Sequence, residues 1–173
     1  MSPTVRSALD AYMDIHSPEN FVRLQVAVAV SAEYHPYTNY MTEVDLLMKQ
    51  ENFDKAMNFL VLQMPNRVLN PGIHKLLSFI QHKRGDKEAA HTEYTLAMLF
   101  LEGLLSTGSG TEEKPYVVLH VEDEHDILEH LGQSHKSVTL VRKGEAAYDK
   151  VVSGHDTVVW FDVTALQVKG TRT

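Results

Sequence analysis

The side chains best suited to chemistry lie within residues 122–130, where Glu122, Asp123, Glu124, Asp126 and Glu129 interleave with His125 and His130. On a helix, His125 and Glu129 are four residues apart, as are Asp126 and His130, so each pair could share one divalent ion. His125, Asp126, Glu129 and His130 are therefore the candidate metal ligands, and a metal-binding protein or metal-dependent hydrolase is one reading of the chain. No H-E-x-x-H signature accompanies them. Acids at a helix start and a histidine at its end also suit the helix macrodipole, and Asp123 with Asp126 resembles a capping arrangement. His120, His125, His130 and His135 recur every five positions, a period that matches neither helix nor strand.

Nucleophilic chemistry has weaker support. Ser153-Gly154-His155-Asp156 brings the three triad residue types together in sequence, but triads are assembled in space, and a polar hairpin turn accounts for the segment better. Gly108-Ser109-Gly110-Thr111 lacks the Gly-Lys-Ser/Thr of a phosphate loop and reads as a flexible joint. With no cysteine in the chain, disulfides, thiolate metal sites and a cysteine nucleophile are excluded. No catalytic residue and no cofactor are implied.

The elements that would position these groups fall into two regions. Up to residue 106 the pattern is helical. Ser17-Pro18 and Asn70-Pro71 each offer an N-cap followed by proline in the first turn. Phe53, Ala56, Met57, Leu60, Val61 and Met64 fall at offsets 0, 3, 4, 7, 8 and 11, one apolar stripe ending just before Pro65. Ala90, Tyr94, Ala97, Met98, Leu101 and Leu105 form the expected buried side of a helix over 86–105. Tyr34, Tyr37 and Tyr40 read as wedges between the N-terminal helices and those that follow. Glu51-Asn52-Phe53-Asp54-Lys55-Ala56 is answered 34 positions later by Gly85-Asp86-Lys87-Glu88-Ala89-Ala90.

A 34-residue period of paired helices resembles the tetratricopeptide repeat over residues 37–105. Tyr40, Leu47, Phe53, Ala56 and Leu60 match in the first unit; Leu77, Gly85, Asp86, Ala90, Tyr94 and Ala97 match in the second. Val44 and Ser78 stand where a first-helix glycine is usual, and His74 replaces an aromatic, so the units are degenerate. The resemblance implies a groove lined by the first helix of each pair: Met41, Asp45, Met48 and Lys49 from one, Lys75, Phe79, His82 and Lys83 from the other. Apolar side chains among charges of both signs suit a peptide or protein ligand; a solvated or self-covered face suits them equally.

After residue 106 the period becomes that of strands. Residues 116–121, 138–142, 148–152 and 157–163 are strand candidates, with a helix over 123–131 closed by Gly132. The expectation is an α+β protein: tetratricopeptide-like helical hairpins over 1–106, then a small β-α-β-β-β region over 107–173 packed on the last helix. The whole chain resembles a bacterial family of unknown function that joins such a helical half to a small α/β half. That resemblance rests on Tyr34-His35-Pro36-Tyr37, Gly108-Ser109-Gly110-Thr111 before Tyr116-Val117-Val118, Tyr148-Asp149, and Phe161-Asp162-Val163-Thr164. It implies a fold and no catalytic residue.

The net charge is −7, and neither region has a basic surplus, with 9 basic and 12 acidic groups in residues 1–106 and 7 and 11 thereafter. This argues against nucleic acid or an anionic membrane as main partner and is compatible with a basic protein. No apolar run approaches the roughly 18 residues of a membrane span, and a cytoplasmic location is expected. The leading expectation is a non-enzymatic protein-binding module, either an adaptor or an immunity protein that neutralises a bacterial toxin.

Overall fold

The computed structural model describes residues 1–37, 40–154 and 156–170. Six helices come first: α1 (Pro3–Asp14), α2 (Pro18–Ala29), α3 (Met41–Lys49), α4 (Phe53–Arg67), α5 (Pro71–Lys83) and α6 (Lys87–Ser106). β1 (Tyr116–Val117), α7 (Val121–His130), β2 (His135–Lys143), β3 (Ala146–Ser153), β4 (Val158–Asp162) and α8 (Thr164–Gly170) follow. The protein is α+β. Its four strands form a mixed sheet in the order β1-β4-β3-β2, with β1 parallel to β4 and the other neighbours antiparallel.

Local signals account for most helix starts. Ser17 Oγ accepts from Asn20 N at 3.2 Å, and Asn70 Oδ1 from Ile73 N at 3.0 Å, in each case ahead of a first-turn proline. Gly85, at φ +85°, ends α5 in the left-handed region that glycine reaches without a Cβ penalty. Pro65 does not stop α4, which runs on to Arg67. Proline near a helix end costs one backbone hydrogen bond, and the turn is held beyond it by Val68 in the larger core, by Asn66 bonded to the His35 backbone and by Arg67 bonded to Glu122.

Two apolar cores result. The smaller joins α3, α4 and α5 through Tyr40, Val44, Leu47, Ala56, Leu60, Ile73, Leu77 and Ile80. The larger begins at Val5, Tyr12 and Phe21, continues through Phe100, Leu101 and Leu104, and includes Val118, Ile127, Val151 and Phe161. It therefore crosses from the helices into the sheet without a break at residue 106. The segment expected as a flexible joint is packed. Trp160 N donates to Gly110 O at 2.9 Å, Ser109 N to Lys114 O at 2.8 Å, and a Cβ on Gly108 would overlap the Pro115 carbonyl. Glycine serves here for close approach of two backbones rather than for motion. α8, absent from the sequence expectation, packs on β3; Thr164 N donates to Asp162 Oδ1 at 2.9 Å at its start.

Candidate functional site

The acidic segment docks as α7 against the N-terminal end of α5. Its N-cap is His120, and Asp123, rather than pairing with Asp126, accepts from the backbone of Leu119 (3.1 Å) and His120 (3.0 Å). Its other oxygen accepts from Asn70 Nδ2 at 2.7 Å. Burial alone would raise the Asp123 pKa, but His120, Asn70 and the Leu119 N–H outweigh it and hold the carboxyl below its ordinary value. Asn70 thus caps α5 and anchors α7 with one amide.

Cations complete the seam. Arg67, fully buried, donates to Glu122 Oε2 at 2.8 Å and stacks over the Tyr40 ring at 5.0 Å. Lys75 Nζ bridges Asp126 (3.0 Å) and Glu129 (2.9 Å), and Asp126 also accepts from Gly72 N at 2.9 Å. Burial raises the Asp126 pKa despite Lys75. Burial also disfavours the Lys75 charge, but its bonds to Glu129 and Asp126 prevail and raise its pKa. Beside these groups lies a largely apolar cavity of about 490 Å³ that includes Tyr40, Met41, Leu76 and His125 in its wall.

This arrangement redirects the proposed metal ligands. Asp126 and Glu129 point to Lys75, His125 lies 5.9 Å from the ring of His135, and His130 is exposed at the end of α7. Among the described residues, no group of three or more His, Asp and Glu is placed to hold an ion. The triad-like segment ends β3: Ser153 Oγ meets Thr157 Oγ1 at 2.6 Å, and His155 lies outside the described residues.

Sequence reasoning missed a carboxyl pair. Glu124 is 3% exposed and faces Asp149 of β3. Burial, with the neighbouring Asp149 and Asp123, pushes its pKa up to about 8; burial likewise raises Asp149, with Glu124 donating to it. Two neighbouring carboxyls, one of them buried, disfavour double ionisation and so favour retention of a proton. A signal was present in the sequence: Glu124 lies on the same helical face as Ile127 and Leu128, at offsets 0, 3 and 4.

The eight expected groove residues differ in their surroundings. Met41 and Met48 are half-buried against the smaller core, while Asp45 and Lys49 are exposed. Met41 and Lys75 line the cavity beside α7, and Lys75 is held by that helix. Lys75, Phe79 and His82 also meet in a shallow depression of about 620 Å³ between α5 and α6, with Lys87, His91 and Tyr94 on its other side. Lys83 lies over the Phe79 ring at 5.3 Å. Tyr94, expected in the buried stripe of α6, is 53% exposed; among the described residues no further helix covers that flank. Among the described residues no carboxylate lines this depression, although the chain as a whole is acidic.

No family model, curated protein or solved structure matches the chain. The functional reading therefore rests on these surfaces.

Proposed function

We propose that the protein is a non-enzymatic binding module whose helical region, built of tetratricopeptide-like hairpins, recognises a segment of another protein. The observation that carries this reading is the α5–α6 depression. Phe79 and Tyr94 remain 46% and 53% exposed there, ringed by lysines and histidines. Exposed aromatics supply burial energy at an interface, and the surrounding charge sets orientation and partner choice. The local charge favours a segment with carboxylates about an apolar side chain, whereas the net charge of the chain would favour a basic partner. An adaptor and a toxin-neutralising immunity protein are the two forms this function would take; in the second, the bound segment would belong to the toxin.

The competing reading, a metal-dependent hydrolase on α7, would need His125 to gather ligands that Lys75 now holds. One experiment separates the two. A photo-crosslinking residue in place of Tyr94 identifies the partner in the native cell, and calorimetry then compares wild type with Phe79→Ala/Lys83→Ala. Loss of at least about tenfold in affinity with an unchanged far-UV spectrum is expected. Unchanged affinity in the double variant, or a hydrolytic activity abolished by chelator and by His125→Ala, would overturn the proposal.

A further inference from the structure

Helices cover the edge strand β2 only in part: His125 of α7 lies 5.9 Å from the ring of His135, and Arg142 donates to Gln167 of α8 at 2.8 Å. β2 is nine residues long and lies at the edge of the sheet, whereas the opposite edge, β1, has two. Eight of the nine β2 residues are exposed. Val138 pairs with Val151 and Leu140 with Asp149, so both stand on the face that carries the core. Yet Val138 is 49% and Leu140 43% exposed, while Val151 is fully buried. A long edge strand with unpaired backbone groups and half-covered apolar side chains is a template for another strand.

Charge decides which strand. β2 carries Lys136, Arg142 and Lys143 and no carboxylate. On the other face, Lys143 lies 5.5 Å and Lys150 5.7 Å from the ring of Trp160. A second copy is disfavoured. The antiparallel register that pairs all nine residues sets Lys136 of each copy against Arg142 of the other. Like charges directly opposite destabilise a ladder. The existing partners of these lysines, Asp156 and Glu112, form exposed pairs that a ligand's carboxylates can replace at small cost.

We propose that β2 is a docking edge for an extended acidic segment of another protein, which adds to the sheet as a fifth strand. Backbone hydrogen bonds supply the register. Apolar side chains at every second position cover Val138 and Leu140 on the core face; the carboxylates between them lie on the other face and meet Lys143, with a terminal one beside Lys136 at the bulged end of the strand. This surface shares no residue with the α5–α6 depression, so it stands or falls separately.

The test uses the full chain and a fluorescent peptide of sequence Glu-Val-Glu-Val-Glu-Val-Glu, followed by anisotropy. Saturable binding is expected, with amide shifts concentrated at alternate residues of β2 in isotope-labelled protein. Two peptides methylated on alternate backbone nitrogens, one in each phase, separate strand addition from charge attraction. One phase should bind like the parent, and the other should lose at least about tenfold. Lys136→Glu/Lys143→Glu, at two exposed positions, should cause a similar loss while keeping the far-UV spectrum. Absence of saturable binding, equal binding by both methylated peptides, or concentration-dependent dimerisation through β2 would overturn the proposal.

Discussion

Asn70 and Glu124 show how much a single polar side chain carries in this protein. Asn70 is fully buried; its Oδ1 caps α5 at Ile73, and its Nδ2 holds Asp123. Asn70→Ala removes a cap and leaves a buried carboxylate short of a donor, so a loss of about 3 kcal/mol in urea unfolding is expected. Glu124 works in the opposite sense. Its carboxyl ionises near pH 8 in the folded chain, far above its ordinary value of 4.5. Between these two pH values the folded state holds a proton that the unfolded state releases, so stability declines as pH rises through that window. Glu124→Gln keeps the hydrogen bond to Asp149 and removes the ionisation. It should stabilise the protein by about 3 kcal/mol at pH 8.5 relative to wild type, with little gain at pH 5. A flat wild-type stability profile from pH 5 to 8.5 would refute the shared proton.

Among the elements, α6 is the hinge of the packing. It meets α5 on one side and α2 on another, and it reaches α7 and β1. The approach to α2 depends on Gly103, where a Cβ would overlap the Phe21 ring. Gly103→Ala should cost about 3 kcal/mol in spite of the higher helix propensity of alanine, because Phe21 is fully buried and has no room to move. Phe21→Leu in the same chain should recover part of that loss, which thermal melts of the two single variants and the double variant would show. If Gly103→Ala melts like wild type, the contact is looser than described.

For the whole molecule, the larger core decides cooperativity. It includes Val5 and Phe21 from the first helices and Val151 and Phe161 from the sheet. A sheet region of this size is marginal alone, and its inner face is completed by the helices. The helical and sheet regions should therefore unfold together. Trp160, the single tryptophan, lies in β4 and reports on the sheet, while far-UV circular dichroism reports mainly on the helices. The two urea curves should coincide; separate midpoints would mean independent units.

Patterns of short range were legible in the chain itself. Caps at Ser17 and Asn70, the left-handed Gly85 and the change from helical to strand period near residue 106 each depend on neighbours a few positions away. The acidic run was legible as a helix, and Phe79 as an exposed aromatic. What those carboxylates do was decided only in three dimensions. Lys75 takes Asp126 and Glu129 across 51 and 54 residues, Arg67 takes Glu122 across 55, and Asp149 reaches Glu124 from a strand. Tyr94 matched the buried stripe yet stands exposed, since among the described residues no element covers it, and β2 is mostly exposed because it lies at the sheet edge. Periodicity records the face of an element; which neighbour covers that face, and which charge meets it, depends on long-range packing.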